Sequence, residues 1–149
     1  MWVQEPWMTK AWEFLGLKEI PGPLSEEKIE GFHATTQGGA SPDNVSWCSS
    51  FVNTCIILGG YTGSNSKAAR SWLDWGKRTA PTYGAVTVFW RESPESWKGH
   101  VGFLVGLTVK DFAILGGNQS NEVRVSRYPR SRLLGCRFPA NYPTGESHV

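Results

Sequence analysis

Two stretches in the second half of the chain decide the fold. They are Ala85-Val86-Thr87-Val88-Phe89-Trp90-Arg91 and His100-Val101-Gly102-Phe103-Leu104-Val105-Gly106-Leu107. Both are rich in β-branched and aromatic residues, which suit a pleated, half-buried surface. Residues 112–115, 122–127 and 133–138 continue the pattern, separated by Gly, Asn, Asp and Pro. Strands this closely spaced predict a mostly antiparallel sheet of about five strands. A turn around Val109-Lys110 would make residues 100–107 and 112–117 a hairpin, whose facing residues sum to 218 or 219.

Before Pro81 the period is helical. Trp7, Met8, Ala11, Trp12, Phe14 and Leu15 fall largely on one stripe, Gly16 suits the stop, and Pro21-Gly22-Pro23 bars continuation. Ser25 before Glu26-Glu27-Lys28 starts a second helix that fades by His33. Residues 35–46 read as a loop. Ser46 is a suitable cap for a third helix, 47–58, ended by Gly59-Gly60. A shorter helix is expected over 67–75. Helices first and strands after mean α+β, with N-terminal helices packed on a C-terminal sheet. At 149 residues the chain reads as one domain, 1–149, with a core at about 5–139 and a short flexible tail.

The cysteines and charges narrow the function. Three cysteines cannot build a disulfide framework. Cys48 lies at the start of the third helix, where free amides and the dipole favour a thiolate and could hold an oxyanion. Cys55 and Cys136 lie in apolar runs and read as packing thiols. Of three histidines, His148 is next to the end and His33 closes a helix, which leaves it exposed. His100 starts a strand between glycines and is the candidate base. The hairpin register sets it opposite Asn118 or Gln119. Asn118 is the candidate orienter, accepting from imidazole Nδ1. Cysteine, histidine and asparagine would then form one arrangement. Each has a plainer reading, as a buried thiol, a half-buried imidazole and a turn residue.

The total charge of +2 hides a division, −4 over residues 1–50 and +6 over 51–149. Five arginines lie between Arg124 and Arg137. They read either as a solvated strand face or as a surface for a polyanion. The small net charge argues against a dedicated nucleic-acid binder. Of the eight tryptophans, Trp7, Trp12, Trp72 and Trp75 read as core, and Trp47, Trp90 and Trp97 as cleft candidates.

Trp47-Cys48-Ser49-Ser50-Phe51-Val52-Asn53, Gly99-His100-Val101-Gly102-Phe103 and Leu115-Gly116-Gly117-Asn118-Gln119 together resemble CHAP-type domains. These are cysteine, histidine-dependent amidohydrolases/peptidases of the papain-like class, and the likeness is to a compact branch in phages and prophages. Pro6-Trp7, Glu19, Trp75-Gly76 and Leu134-Gly135-Cys136-Arg137 fit as well. The resemblance implies a papain-like fold and a peptidoglycan hydrolase that cuts an amide or peptide bond. In it Cys48 would attack, His100 would exchange the proton and Asn118 would orient His100, with no metal or cofactor. Two positions depart from the pattern. Ala85 stands where an acid is frequent, and so does Gly116, two residues before Asn118.

The partner implied is bacterial peptidoglycan, with no nucleic acid, no stable membrane insertion and a monomer favoured. The opening Met-Trp-Val-Gln-Glu-Pro-Trp has neither a basic nor an apolar segment of a signal peptide. The expectation is therefore a product made in the cytoplasm and released or delivered to the wall. The alternatives are a non-catalytic wall-binding or tail structural module, or an antibacterial effector with the same chemistry.

Overall fold

A computed structural model describes residues 4–21, 24–43 and 46–143. The readings that fall on Gly22-Pro23, His148 and the tail lie outside the described residues.

The chain is α+β. Three α-helices precede the sheet: α1 (Pro6–Glu13), α2 (Glu27–Ala34) and α3 (Cys48–Leu58). Pro6 opens α1, where its missing N–H costs nothing. Gly16, at φ +94°, turns the chain away and donates its amide to the Val123 carbonyl. The cap of α2 is Glu26, whose carboxylate accepts from the Lys28 amide at 2.8 Å. Ser25 instead accepts from the Asp43 amide. Residues 67–75, expected to be α-helical, hold a 3-10 helix at Ala69–Asp74.

The strands are β1 (Lys77–Arg78), β2 (Val86–Trp90), β3 (Gly99–Leu107), β4 (Asp111–Gln119), β5 (Glu122–Pro129) and β6 (Leu133–Phe138). Their order is β1-β6-β2-β3-β4-β5, and every pairing is antiparallel. The sixth strand, β1, has only two residues, too few to carry an alternating pattern. The hairpin register holds: Phe103 pairs with Leu115 and Leu107 with Phe112, on either side of a bulge.

The two sheet faces are used differently. Val101, Phe103, Leu115 and Val123 pack under the helices with Trp7, Phe51 and Trp72. Phe89, Leu104, Phe112 and Ile114 form a smaller cluster on the other face, with Tyr128 beside it. Helix α3 is the buried element, and Gly59 ends it where a side chain would run into the Trp7 backbone. This packing holds the N-terminus of α3 at the ends of β3 and β4.

Candidate functional site

Cys48 is the first residue of α3. The helix has no side-chain cap. Its N-cap is Trp47, and the expected cap, Ser46, faces Asn118 instead. Trp47 is fully buried, which corrects its assignment to the cleft. Its indole N–H donates to Glu19 at 2.8 Å, so Glu19 anchors the residue before Cys48. Glu19 thus tethers the 18–20 segment to the start of α3.

The Cys48 thiol meets His100. Burial alone would push its pKa up. The charge of His100, its hydrogen bond, and the amides of Val101 and Ser49 outweigh burial, and the net shift is downward. Cys55 has burial without such partners, and its thiol is pushed well up. Burial raises Cys136 as well, opposed by a hydrogen bond with Thr87 and the charge of Arg137. All three thiols are buried, and they differ in their neighbours: Cys48 alone has an imidazole beside it.

His100 is held from two directions. Its Nε2 lies 2.8 Å from Oε1 of Gln119. The Gln119 amide nitrogen donates to the carbonyls of Ile114 (3.1 Å) and Arg124 (2.6 Å). With its N–H groups committed to carbonyls, Gln119 presents oxygen to His100, so Nε2 carries the proton. That leaves Nδ1 for Cys48. Tyr128 stacks on the imidazole at 4.7 Å and 16°, and on Phe89 at 5.0 Å.

The structure thus brings Cys48 and His100 together but leaves Asn118 aside, which corrects its expected role. Asn118 has φ +58°, and its amide nitrogen reaches Ser46 Oγ at 3.4 Å. A bulge between Gly116 and Gln119 explains the exchange. An extra residue in one strand moves the following side chain to the other face, so Gln119 takes the place that simple alternation assigns to 118. The imidazole nitrogen involved is Nε2, not Nδ1.

The glycines beside the site act by leaving room. A Cβ on Gly116 would stand 2.5 Å from Gln119 Oε1, and one on Gly117 would stand 2.6 Å from the Trp47 ring. Gly116 is one of the positions where an acid was expected, and no side chain fits there while Gln119 holds His100. At the other, Ala85 is fully buried and pairs by backbone with Leu104 and Thr82.

Two cavities flank the pair. One, of about 350 Å³, is lined by His100, Gln119, Tyr128, Arg91, Arg127 and Arg132, among others. The second, of about 290 Å³, is lined by Cys48, Ser46, Lys67, Arg91, Trp97 and Lys98, among others. Arg91 borders both. Trp97, 78% exposed, and Trp90, under the Arg132 guanidinium at 4.7 Å, keep their assignment to the cleft. Arg70 pins the 93–98 loop by donating to the carbonyls of Ser93, Pro94 and Lys98.

Other candidates fall elsewhere. His33 is fully buried, with Nδ1 2.7 Å from Ser50 Oγ, because α2 packs its last turn on α3. Its expected exposure is corrected. Asp43 is buried and accepts from the amides of Ile20 and Glu26, away from both cavities. Among the described residues no three His, Cys, Asp or Glu side chains gather as a metal-holding set, and no helix is long and apolar enough to cross a membrane.

Compared with protein-family models, the chain matches none. A comparison with curated proteins finds no significant match. The functional reading therefore rests on the residues and their geometry.

Proposed function

We propose that this protein is a cysteine amidase or endopeptidase acting on bacterial peptidoglycan. The observation that carries the chemistry is a thiol on the first residue of a helix, hydrogen-bonded to an imidazole whose far nitrogen is held by Gln119. Nucleophile, base and orienter in that order make a thiolate–imidazolium pair that attacks acyl carbon. The choice of substrate rests on the resemblance of residues 47–53, 99–103 and 115–119 to CHAP-type domains.

In the proposed reaction the Cys48 thiolate adds to the carbonyl carbon and forms a C–S bond. The free amides of the first turn of α3 stabilise the oxyanion. Collapse breaks the C–N bond, and the proton on His100 passes to the departing nitrogen. A water then gives a proton to His100 and adds to the thioester, releasing the acid and restoring the thiolate. Gln119 holds the imidazole in one tautomer throughout, and Tyr128 holds its plane.

The test is the release of new amino groups from purified sacculi. The wild type should release them, and Cys48→Ala should not, with an unchanged circular dichroism spectrum. Hydrolysis by Cys48→Ala would overturn the proposal. Mass spectrometry of the digest identifies the bond cut.

A further inference from the structure

The cavity beside His100 carries guanidinium charge that no carboxylate of the described residues pairs with. Arg91, Arg127 and Arg132 are exposed and line the cavity on the His100 side. Among the described residues none of their guanidinium groups makes a hydrogen bond or an ion pair with another side chain, and the ion pairs there are Lys10–Glu13 and Lys98–Glu92. Arg132 lies over the Trp90 face at 4.7 Å, a contact that does not occupy its N–H groups. Among the described residues no Asp or Glu lines either cavity. Two arginines of the same region are engaged, while Arg124 is exposed and lines neither cavity. Arg130 donates to the Thr108 carbonyl, and Arg137 to the carbonyls of Leu73 and Cys136. The cluster between Arg124 and Arg137 is therefore not one solvated face, because two of its members turn into the cavity.

The position of the charge has a chemical meaning. A base that has taken the thiol proton must return it to the departing nitrogen, so the amine half of the substrate lies on the His100 side. The acyl half lies on the Cys48 side. Guanidinium groups match carboxylates in a bidentate fork and are weakly hydrated, so they give up water readily.

We propose that the His100-side cavity binds a free carboxylate on the amine side of the scissile bond, with Arg91, Arg127 and Arg132 as its ligands. This rests on the amidase reading and adds a preference to it. The favoured bonds are those whose departing amine belongs to a residue bearing a carboxylate, such as diaminopimelate in a wall peptide. An amide whose departing residue lacks a nearby carboxylate is disfavoured.

The probes are two muropeptides that differ only in whether the diaminopimelate side-chain carboxyl is free or amidated. With wild-type protein, amidation should lower kcat/KM about tenfold at low ionic strength, and 0.5 M salt should shrink the difference. In the variant Arg91→Gln/Arg127→Gln/Arg132→Gln the two should be cut at similar rates. Calorimetry with Cys48→Ala separates this proposal from the amidase reading. Preferential binding of the free acid by Cys48→Ala supports the carboxylate site even if the wild type cuts nothing. Equal binding and equal cutting of the two probes would overturn the carboxylate site and leave the amidase standing. Binding of neither probe would overturn it as well.

Discussion

The amide oxygen of Gln119 lies 2.8 Å from Nε2 of His100, while its neighbour Asn118 turns toward Ser46. Losing a buried hydrogen bond of this kind costs about 1–3 kcal/mol, or roughly one to two orders of magnitude if it acts in the rate-determining step. Gln119→Ala should lower kcat by about 10–100-fold with little change in KM. It should also move the pH at which Cys48 becomes reactive upward, since a loosened imidazole supports the thiolate less. Asn118→Gly keeps the left-handed backbone and removes the side chain, and its kcat should stay within about threefold of wild type. Equal losses in the two variants would contradict the assignment.

Iodoacetamide should separate the three thiols. Cys48 should react first, since thiolate character sets the rate. Its half-maximal rate should fall below the ordinary thiol value of 9.0. In His100→Ala the lowering contributions of the imidazole are gone and burial remains, so that midpoint should rise. Peptide mapping after timed alkylation reads both. Faster labelling of Cys55 or Cys136 in the folded protein would refute the distinction.

Gly116 and Gly117 are adjacent, yet substitution should have different consequences. In Gly116→Ala the new methyl group meets the Gln119 amide, so activity should fall with a small change in Tm. In Gly117→Ala it meets the Trp47 ring and Phe51 in the core, a kind of overpacking that typically costs about 1–3 kcal/mol. Thermal denaturation and kcat measured on both variants give the comparison.

Cys55 makes stability depend on alkaline pH. Burial raises its pKa well above the 9.0 of an ordinary thiol. Above that value the unfolded chain loses the proton and the folded chain keeps it, so the folded state binds more protons. Stability should then fall with rising pH, by up to about 1.4 kcal/mol per unit for one such group. Cys55→Ala should flatten this slope between pH 9 and 10, whatever its effect on Tm at neutral pH. Urea denaturation at several pH values measures it.

Much of the fold was legible in local pattern. The first helix, the strand runs after Pro81 and the hairpin register all arise from side-chain period and turn chemistry, which act over a few residues, although the apolar stripe read to Leu15 outruns the helix, which ends at Glu13 and leaves Leu15 exposed. Residues 133–138 were placed to the residue, because Pro129 and Pro139 flank the segment. Cys48 and His100 were also readable, since a helix start and a strand start are local events. The short β1 was not, because two residues have no period. Neither was the burial of Trp47 and His33, which depends on how α2 and α3 stack.

The amino-acid order by itself determined the α+β class and the approach of residues 118–119 to His100. Only the tertiary structure decided between those two residues. A bulge after Gly116 and a left-handed Asn118 shift the alternation by one residue. The bulge lies where the strand packs on α3 and a side chain at Gly117 would meet the Trp47 ring; the Gly116-Gly117 pair permits a bulge, but the pair alone does not say which later residue it turns to His100. The tertiary structure also divided the arginines into backbone clamps and cavity-lining charges, because pairing across the sheet, not spacing along the chain, sets where each guanidinium finds a carbonyl.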